Sequence, residues 1–121
     1  MQRIFLKAKI HRARVTATCL DYEGSLSIDR SLMFQADIAS HEQVGVYNLS
    51  NGERFDTYAI AASEGSGEIS LNGAAARKGQ PGDFIIIATY ALLDEKELAH
   101  HQPRILLVDE SNRPRPGGSN D

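Results

Sequence analysis

At 121 residues, with 41% hydrophobic and 24% charged positions and a net charge of -3, the chain is long enough for one domain with a modest core and too short for two. This balance excludes a strongly basic nucleic-acid binder and a wholly disordered chain. No apolar run approaches the roughly 20 residues of a membrane helix, residues 1–7 show no signal-peptide pattern, and the single cysteine cannot form an internal disulfide, so a cytoplasmic protein without membrane or nucleic-acid partners is expected.

Residues 1–20 carry β-branched and apolar positions without helical spacing, and 13–19 alternate as a half-buried strand does. On a continuous strand Lys9 and His11 share a face, and Cys19 reads as a small buried hydrophobe rather than a nucleophile. Residues 26–29 predict a short strand, after which Asp29 caps a short helix through Leu32, Met33 and Ala36.

Asn51-Gly52, between two strand-like runs, predicts a two-residue hairpin turn. Pairing Ser50 with Glu53 sets Leu49 against Arg54, Tyr47 against Asp56 and Gly45 against Tyr58, all on one face, with Thr57 on the other. Residues 69–71 form another strand, followed by a helical turn with Asn72 as N-cap and Gly79 as its stop. Such a helix start can hold an anion. The unbroken apolar run at 84–90 reads as a strand buried on both faces, Asp94 and Glu97 form a capping box for a helix ending near His100, and 104–108 is a last strand. Residues 112–121 are polar and rich in Pro and Gly and are expected to be a disordered tail behind a single domain spanning 1–111. Many short strands with brief helices argue for a closed barrel.

Most catalytic signatures are missing. His100-His101 lack metal partners at suitable spacing, so no metal site is expected; the acidic, lysine-free glycines at 64–68 make no phosphate loop; no G-x-S-x-G elbow occurs. The stretch Asp21-Tyr22-Glu23-Gly24-Ser25 differs in kind. Gly24 lets the backbone bend and leaves its carbonyl open to the Ser25 hydroxyl, as an N-to-O acyl shift requires. The ester formed can eliminate to dehydroalanine and hydrolyse to a pyruvoyl group with loss of ammonia. Taken alone, Gly-Ser is far more often an ordinary turn.

The surrounding motifs change that weighting. Lys9-Ile10-His11-Arg12, Tyr22-Glu23-Gly24-Ser25, Ile28-Asp29, Asn51-Gly52 with Arg54, Thr57-Tyr58-Ala59-Ile60, and Asn72-Gly73-Ala74-Ala75-Ala76 followed by Gly82-Asp83 occur in the order and spacing of one family. Over roughly residues 3–109 the chain resembles the pyruvoyl-dependent aspartate 1-decarboxylases. The resemblance implies a six-stranded double-psi β-barrel with short helices, assembled as a homotetramer with active sites between subunits. It implies self-cleavage between Gly24 and Ser25 into a small β chain (1–24) and a large α chain (25–121), with a helper protein for maturation in some relatives.

The covalent pyruvoyl group would be the modified Ser25, Thr57 would assist cleavage, and Tyr58 would return a proton after carbon dioxide leaves. Thr57, Gly73, Ala74 and Ala75 would contact substrate, and Lys9, Arg54 and Asn72 would line or orient the site. The implied reaction is decarboxylation of L-aspartate to β-alanine, a step toward pantothenate.

The residues agree with this chemistry where they can be compared with it. A pyruvoyl carbonyl condenses with the substrate amine to a Schiff base that acts as an electron sink. Arg54 offers a two-point carboxylate clamp on the face that carries Tyr58, a possible acid. Without the resemblance, Thr57 reads as a core threonine, Tyr58 as a core tyrosine, and Lys9 equally well as a solvated strand position. Two positions depart from the family pattern: Tyr47 stands where tryptophan is common, and Arg77-Lys78 is more basic than in some members. A non-catalytic β-barrel binding module is the competing function, because fold does not dictate function. A pyruvoyl enzyme acting on another amino acid is the third.

Overall fold

The computed structural model describes residues 1–116. Eight strands join in one mixed sheet: β1 (Arg3–Arg14), β2 (Ala17–Cys19), β3 (Ser25–Asp29), β4 (Gln43–Asn48), β5 (Arg54–Ala62), β6 (Ile69–Asn72), β7 (Phe84–Leu93) and β8 (Arg104–Leu107), in the order β2-β6-β3-β5-β4-β7-β1-β8. The helices among the described residues are short: α1 (Arg30–Ala36), α2 (Glu95–Leu98) and a 3-10 segment (Gly73–Lys78). The protein is therefore mainly β, as expected, with eight strands among the described residues where the resemblance implied six.

The core follows from alternation. Ala8 and Ile10 of β1, Leu26 and Ile28 of β3, Val44 and Val46 of β4, Ile69 and Leu71 of β6, and Ile85 and Ile87 of β7 are fully buried and form one apolar cluster. Lys9 and His11 take the other face of β1, both half-buried. Burying a Val, Leu or Ile side chain contributes about 1.5–3 kcal/mol, so these pairs are the main force holding the sheet. Asp29 caps α1 through an N–H bond from Ser31 at 2.9 Å, and Asp94 and Glu97 form the reciprocal capping box of α2.

Several expectations are corrected. The strand predicted across 13–19 breaks at Val15 and Thr16, whose N–H groups leave the strand to reach the carbonyls of Asp83 and Ile69. Cys19 is exposed, because β2 is a three-residue edge strand with β6 as its only neighbour in the sheet. The strand predicted to be buried on both faces is so only at its centre: Ile85, Ile87 and Thr89 on one face and Ala88 on the other are buried, while Ile86 is half-buried and Tyr90 is exposed.

The hairpin register is also shifted. Tyr47 pairs with Arg54, Gly45 with Asp56 and Gln43 with Tyr58, two residues from the predicted partners. The cause is Asn48. Its Oδ1 accepts the N–H groups of Ser50 (2.8 Å) and Asn51 (3.3 Å), and its backbone carbonyl accepts that of Gly52 (2.9 Å), so the turn takes four residues rather than two. A two-residue shift preserves facing, so Tyr47, Arg54, Asp56 and Tyr58 still share a side.

Asn112 is buried at 1% exposure. Its Oδ1 accepts the Arg14 N–H at 2.7 Å, and its Nδ2 donates to the carbonyls of Arg14 (2.9 Å) and Gly67 (2.8 Å). Pro114 bridges to Val108, and the Arg115 N–H bonds the Leu107 carbonyl. The tail expected from 112 onward is thus held to the body through these residues, because one asparagine satisfies three backbone groups at once. Residues 117–121 lie outside the described residues.

Candidate active site

Gly24 and Ser25 sit where a loop enters β3. Ser25 is buried at 1% exposure, and its φ is 133°, a conformation that costs a non-glycine residue on the order of 1–3 kcal/mol. Its register partner is Asn72 at the end of the antiparallel β6. The Asn72 side chain does not cap the turn that follows, contrary to expectation. Its Nδ2 instead donates to Ser25 Oγ at 3.1 Å and Ser27 Oγ at 2.8 Å. Two buried hydroxyls need a donor, and the turn that follows is a short 3-10 segment, so the amide serves the strand.

The loop reaches this position because Gly73 has no side chain. A Cβ there would fall 2.7 Å from the Gly24 nitrogen and Cα and 2.9 Å from the Tyr22 carbonyl oxygen, and its φ of 64° already favours glycine. Gly73 therefore seats the backbone of residues 22–24 directly.

Across the sheet, β3 runs parallel to β5 with Leu26 beside Ala59. This places Tyr58 level with the junction, and Tyr58 Oη donates to the Gly24 carbonyl oxygen at 3.0 Å. Thr57, proposed from the resemblance to support that carbonyl, lines a cavity of about 180 Å³ together with Gly24, Ser25, Asn72, Ala74 and Ala75. The fold thus gathers Gly24, Ser25, Thr57, Tyr58, Asn72, Gly73, Ala74 and Ala75 at one place. Lys9 and Arg54 do not line this cavity: Lys9 lies on β1, and the Arg54 guanidinium stacks on the Tyr47 ring at 3.9 Å.

Phe55, Asp56 and Lys78 also line the cavity, although the sequence marks none of them as a site residue. Phe55 shares the face of Thr57 by alternation, which was a readable signal; Lys78 arrives only through the path of the 3-10 segment. Near Lys9, the His11 imidazole is pushed down from its ordinary value by burial and by the charges of Lys9, Arg12 and Arg115. Among the described residues no three His, Cys, Asp or Glu side chains converge as a metal site, and no helix is long and apolar enough to cross a membrane.

A mainly β protein with a strained Gly-Ser peptide, a hydroxyl donating to its carbonyl and an amide on its serine defines a class of site built around one backbone bond. The comparisons place it further. The family model for aspartate decarboxylase matches residues 1–115. The chain is 64% identical over 114 residues to the aspartate 1-decarboxylase of Syntrophobacter fumaroxidans, covering 94% of this chain and 92% of the other. It is 57% identical over 113 residues to that of Methylobacillus flagellatus (93% and 90% covered) and 54% identical over 114 residues to that of Thermoanaerobacter pseudethanolicus (94% and 97%). The chain belongs to the aspartate decarboxylase family.

Proposed function

We propose that the chain cuts itself between Gly24 and Ser25 and then decarboxylates L-aspartate to β-alanine. Family membership supports the reaction. The observation that carries the site is the Tyr58 hydroxyl on the Gly24 carbonyl, beside a buried Ser25 with φ 133°.

Ser25 Oγ attacks the Gly24 carbonyl carbon, and the charge developing on that oxygen is held by Tyr58 Oη, with Thr57 assisting from the cavity wall. The C–N bond breaks and the Ser25 nitrogen takes a proton, leaving an ester and relieving the strained backbone. Loss of the Ser25 Cα proton and departure of the Gly24 carboxylate give a dehydroalanine. One water, the sole co-reactant of these steps, converts it to a pyruvoyl group with release of ammonia.

The small walls of Ala74 and Ala75 and the donor Asn72 fit a group of that size and polarity at position 25. When formed, it supplies an electron sink for the pair left on the substrate carbon as carbon dioxide departs. Arg54 clamps a substrate carboxylate with its planar fork. Backbone N–H groups of Gly73, Ala74 and Ala75 orient the other end, and Tyr58 Oη, freed from the Gly24 carbonyl by the cut, returns the proton. Lys9 and Arg54 lie off the cavity, and a homotetramer with sites between subunits would bring them to it from a neighbour. A double-psi barrel closed by six of the eight strands and a cytoplasmic location complete this reading.

Intact-mass analysis of the purified protein tests it, together with carbon dioxide release from aspartate and from glutamate. Two fragments, the larger beginning with pyruvoyl and blocked to Edman sequencing, and release from aspartate alone are expected. Ser25→Ala should stay uncut and inactive. Cutting only after addition of cell extract indicates a maturation helper, while a chain that stays whole under every condition defeats the enzyme reading in favour of a binding module.

A further inference from the structure

Arg54 is exposed at the start of β5, and among the described residues its guanidinium makes no ion pair or hydrogen bond. Its neighbour is the Tyr47 ring, with the arginine Cζ 3.9 Å from the ring centroid. An exposed arginine samples many rotamers, and ordering it when a ligand arrives lowers affinity. Stacking uses the face of the guanidinium and leaves its N–H edges free, so a held ring would present the fork already oriented.

The ring is held. Tyr47 Oη and Tyr90 Oη lie 2.6 Å apart, a link across the antiparallel pairing of β4 with β7. Gly45, two residues before Tyr47 on the same face, leaves room for it: a Cβ at Gly45 would fall 2.6 Å from Tyr47 Oη. The ring thus folds back over its own strand, beneath Arg54, with its hydroxyl fixed by Tyr90, a residue that does not line the cavity beside Ser25.

We propose that Tyr90 is a positioning residue for substrate recognition: its hydroxyl holds the Tyr47 ring as the platform from which Arg54 presents its N–H edge to the side-chain carboxylate of aspartate. This rests on the reading of Arg54 as the carboxylate clamp. Burial and the bond to Tyr90 push the Tyr47 phenol up to about 12, so the link stays protonated and intact throughout the neutral range.

Tyr90→Phe removes one hydroxyl and keeps the ring. In fully processed enzyme it should raise KM for aspartate about three- to ten-fold, the factor implied by the net contribution of one hydrogen bond, with kcat little changed. The Kd of succinate, a dicarboxylate that lacks the amine, should weaken by the same factor in calorimetry, and ¹⁵N relaxation at Arg54 Nε should report a more mobile side chain. Tyr47→Phe cuts the same link from its other end and should reproduce all three changes, after which Tyr90→Phe should add nothing.

Arg54→Lys separates the two levels of the argument, since lysine cannot stack or fork. If it leaves succinate binding unchanged, the clamp reading fails and this proposal with it. If it weakens binding while Tyr90→Phe does not, the clamp stands and Tyr90 has no positioning role. A Tyr90→Phe effect that persists in Tyr47→Phe protein, or that falls on kcat alone, also overturns the proposed path.

Discussion

The Tyr58 hydroxyl donates to the Gly24 carbonyl oxygen at 3.0 Å, joining the middle of β5 to the peptide bond that precedes β3. Under the proposed function this contact would give Tyr58 a part in processing as well as in turnover. Tyr58→Phe removes the donor, so self-cleavage should slow by about 10²–10³-fold, as for loss of one oxyanion donor, and the fraction that matures should decarboxylate about 10²–10⁴-fold more slowly. Thr57→Val should slow cleavage, and because Thr57 also lines the cavity beside Ser25 the matured fraction should show a raised KM for aspartate with kcat less affected. A mass-spectrometric time course read beside carbon dioxide release distinguishes them, and Tyr58→Phe protein that cuts at the normal rate would remove the hydroxyl from the first step.

Gly73 controls the approach of the loop. Gly73→Ala places a methyl group 2.7 Å from the Gly24 backbone at a φ of 64°, so residues 22–24 must move away from Asn72 and Tyr58. The expected protein is folded, less stable by roughly 1–3 kcal/mol from backbone strain, and uncut. Circular dichroism and intact mass test this together; a normally processed Gly73→Ala chain would show that the close approach is not required.

Asp29 should make stability depend on acid. Burial raises its carboxyl pKa, but the N–H groups of Gly67 and Ser31, the Ser31 hydroxyl and the Gly65 N–H outweigh this and hold it below its ordinary value. The folded state therefore binds the proton more weakly than the unfolded chain. The contribution is complete above the unfolded value and is lost as pH falls through the lowered folded value. Asp29→Asn should lower the urea midpoint at about pH 7, and its deficit from the parent should narrow at about pH 3, below the ordinary aspartate range. A deficit that is the same at both pH values would refute this account.

Asn112→Ala should test how the segment around residues 112–115 is anchored. It leaves the N–H and carbonyl of Arg14 and the carbonyl of Gly67 without their partner, and each buried unmet group costs about 1–3 kcal/mol. Water entering the gap reduces the sum, so a loss of about 2–4 kcal/mol is expected. Chemical denaturation measures it, and a change below the roughly 0.5 kcal/mol of an ordinary surface substitution would mean that the strap contributes little.

Sequence by itself determined what depends on neighbours along the chain. The two-residue period assigned the faces of β5, so Arg54, Asp56 and Tyr58 could be grouped and Thr57 set apart; side-chain alternation survives a two-residue register shift. The caps at Asp29 and Asp94 were readable because a cap bonds backbone only two or three residues away. The motif order pointed to the family before any contact was known. Tertiary structure decided what depends on residues far apart in sequence. It directed the Asn72 amide to Ser25 and Ser27, where two buried hydroxyls outcompete a short turn; it lengthened the hairpin through the side chain of Asn48; it buried Asn112 against Arg14 and Gly67; and it set the Tyr58 hydroxyl on the Gly24 carbonyl. In each case a polar group had several local partners open to it, and burial against a distant strand selected one.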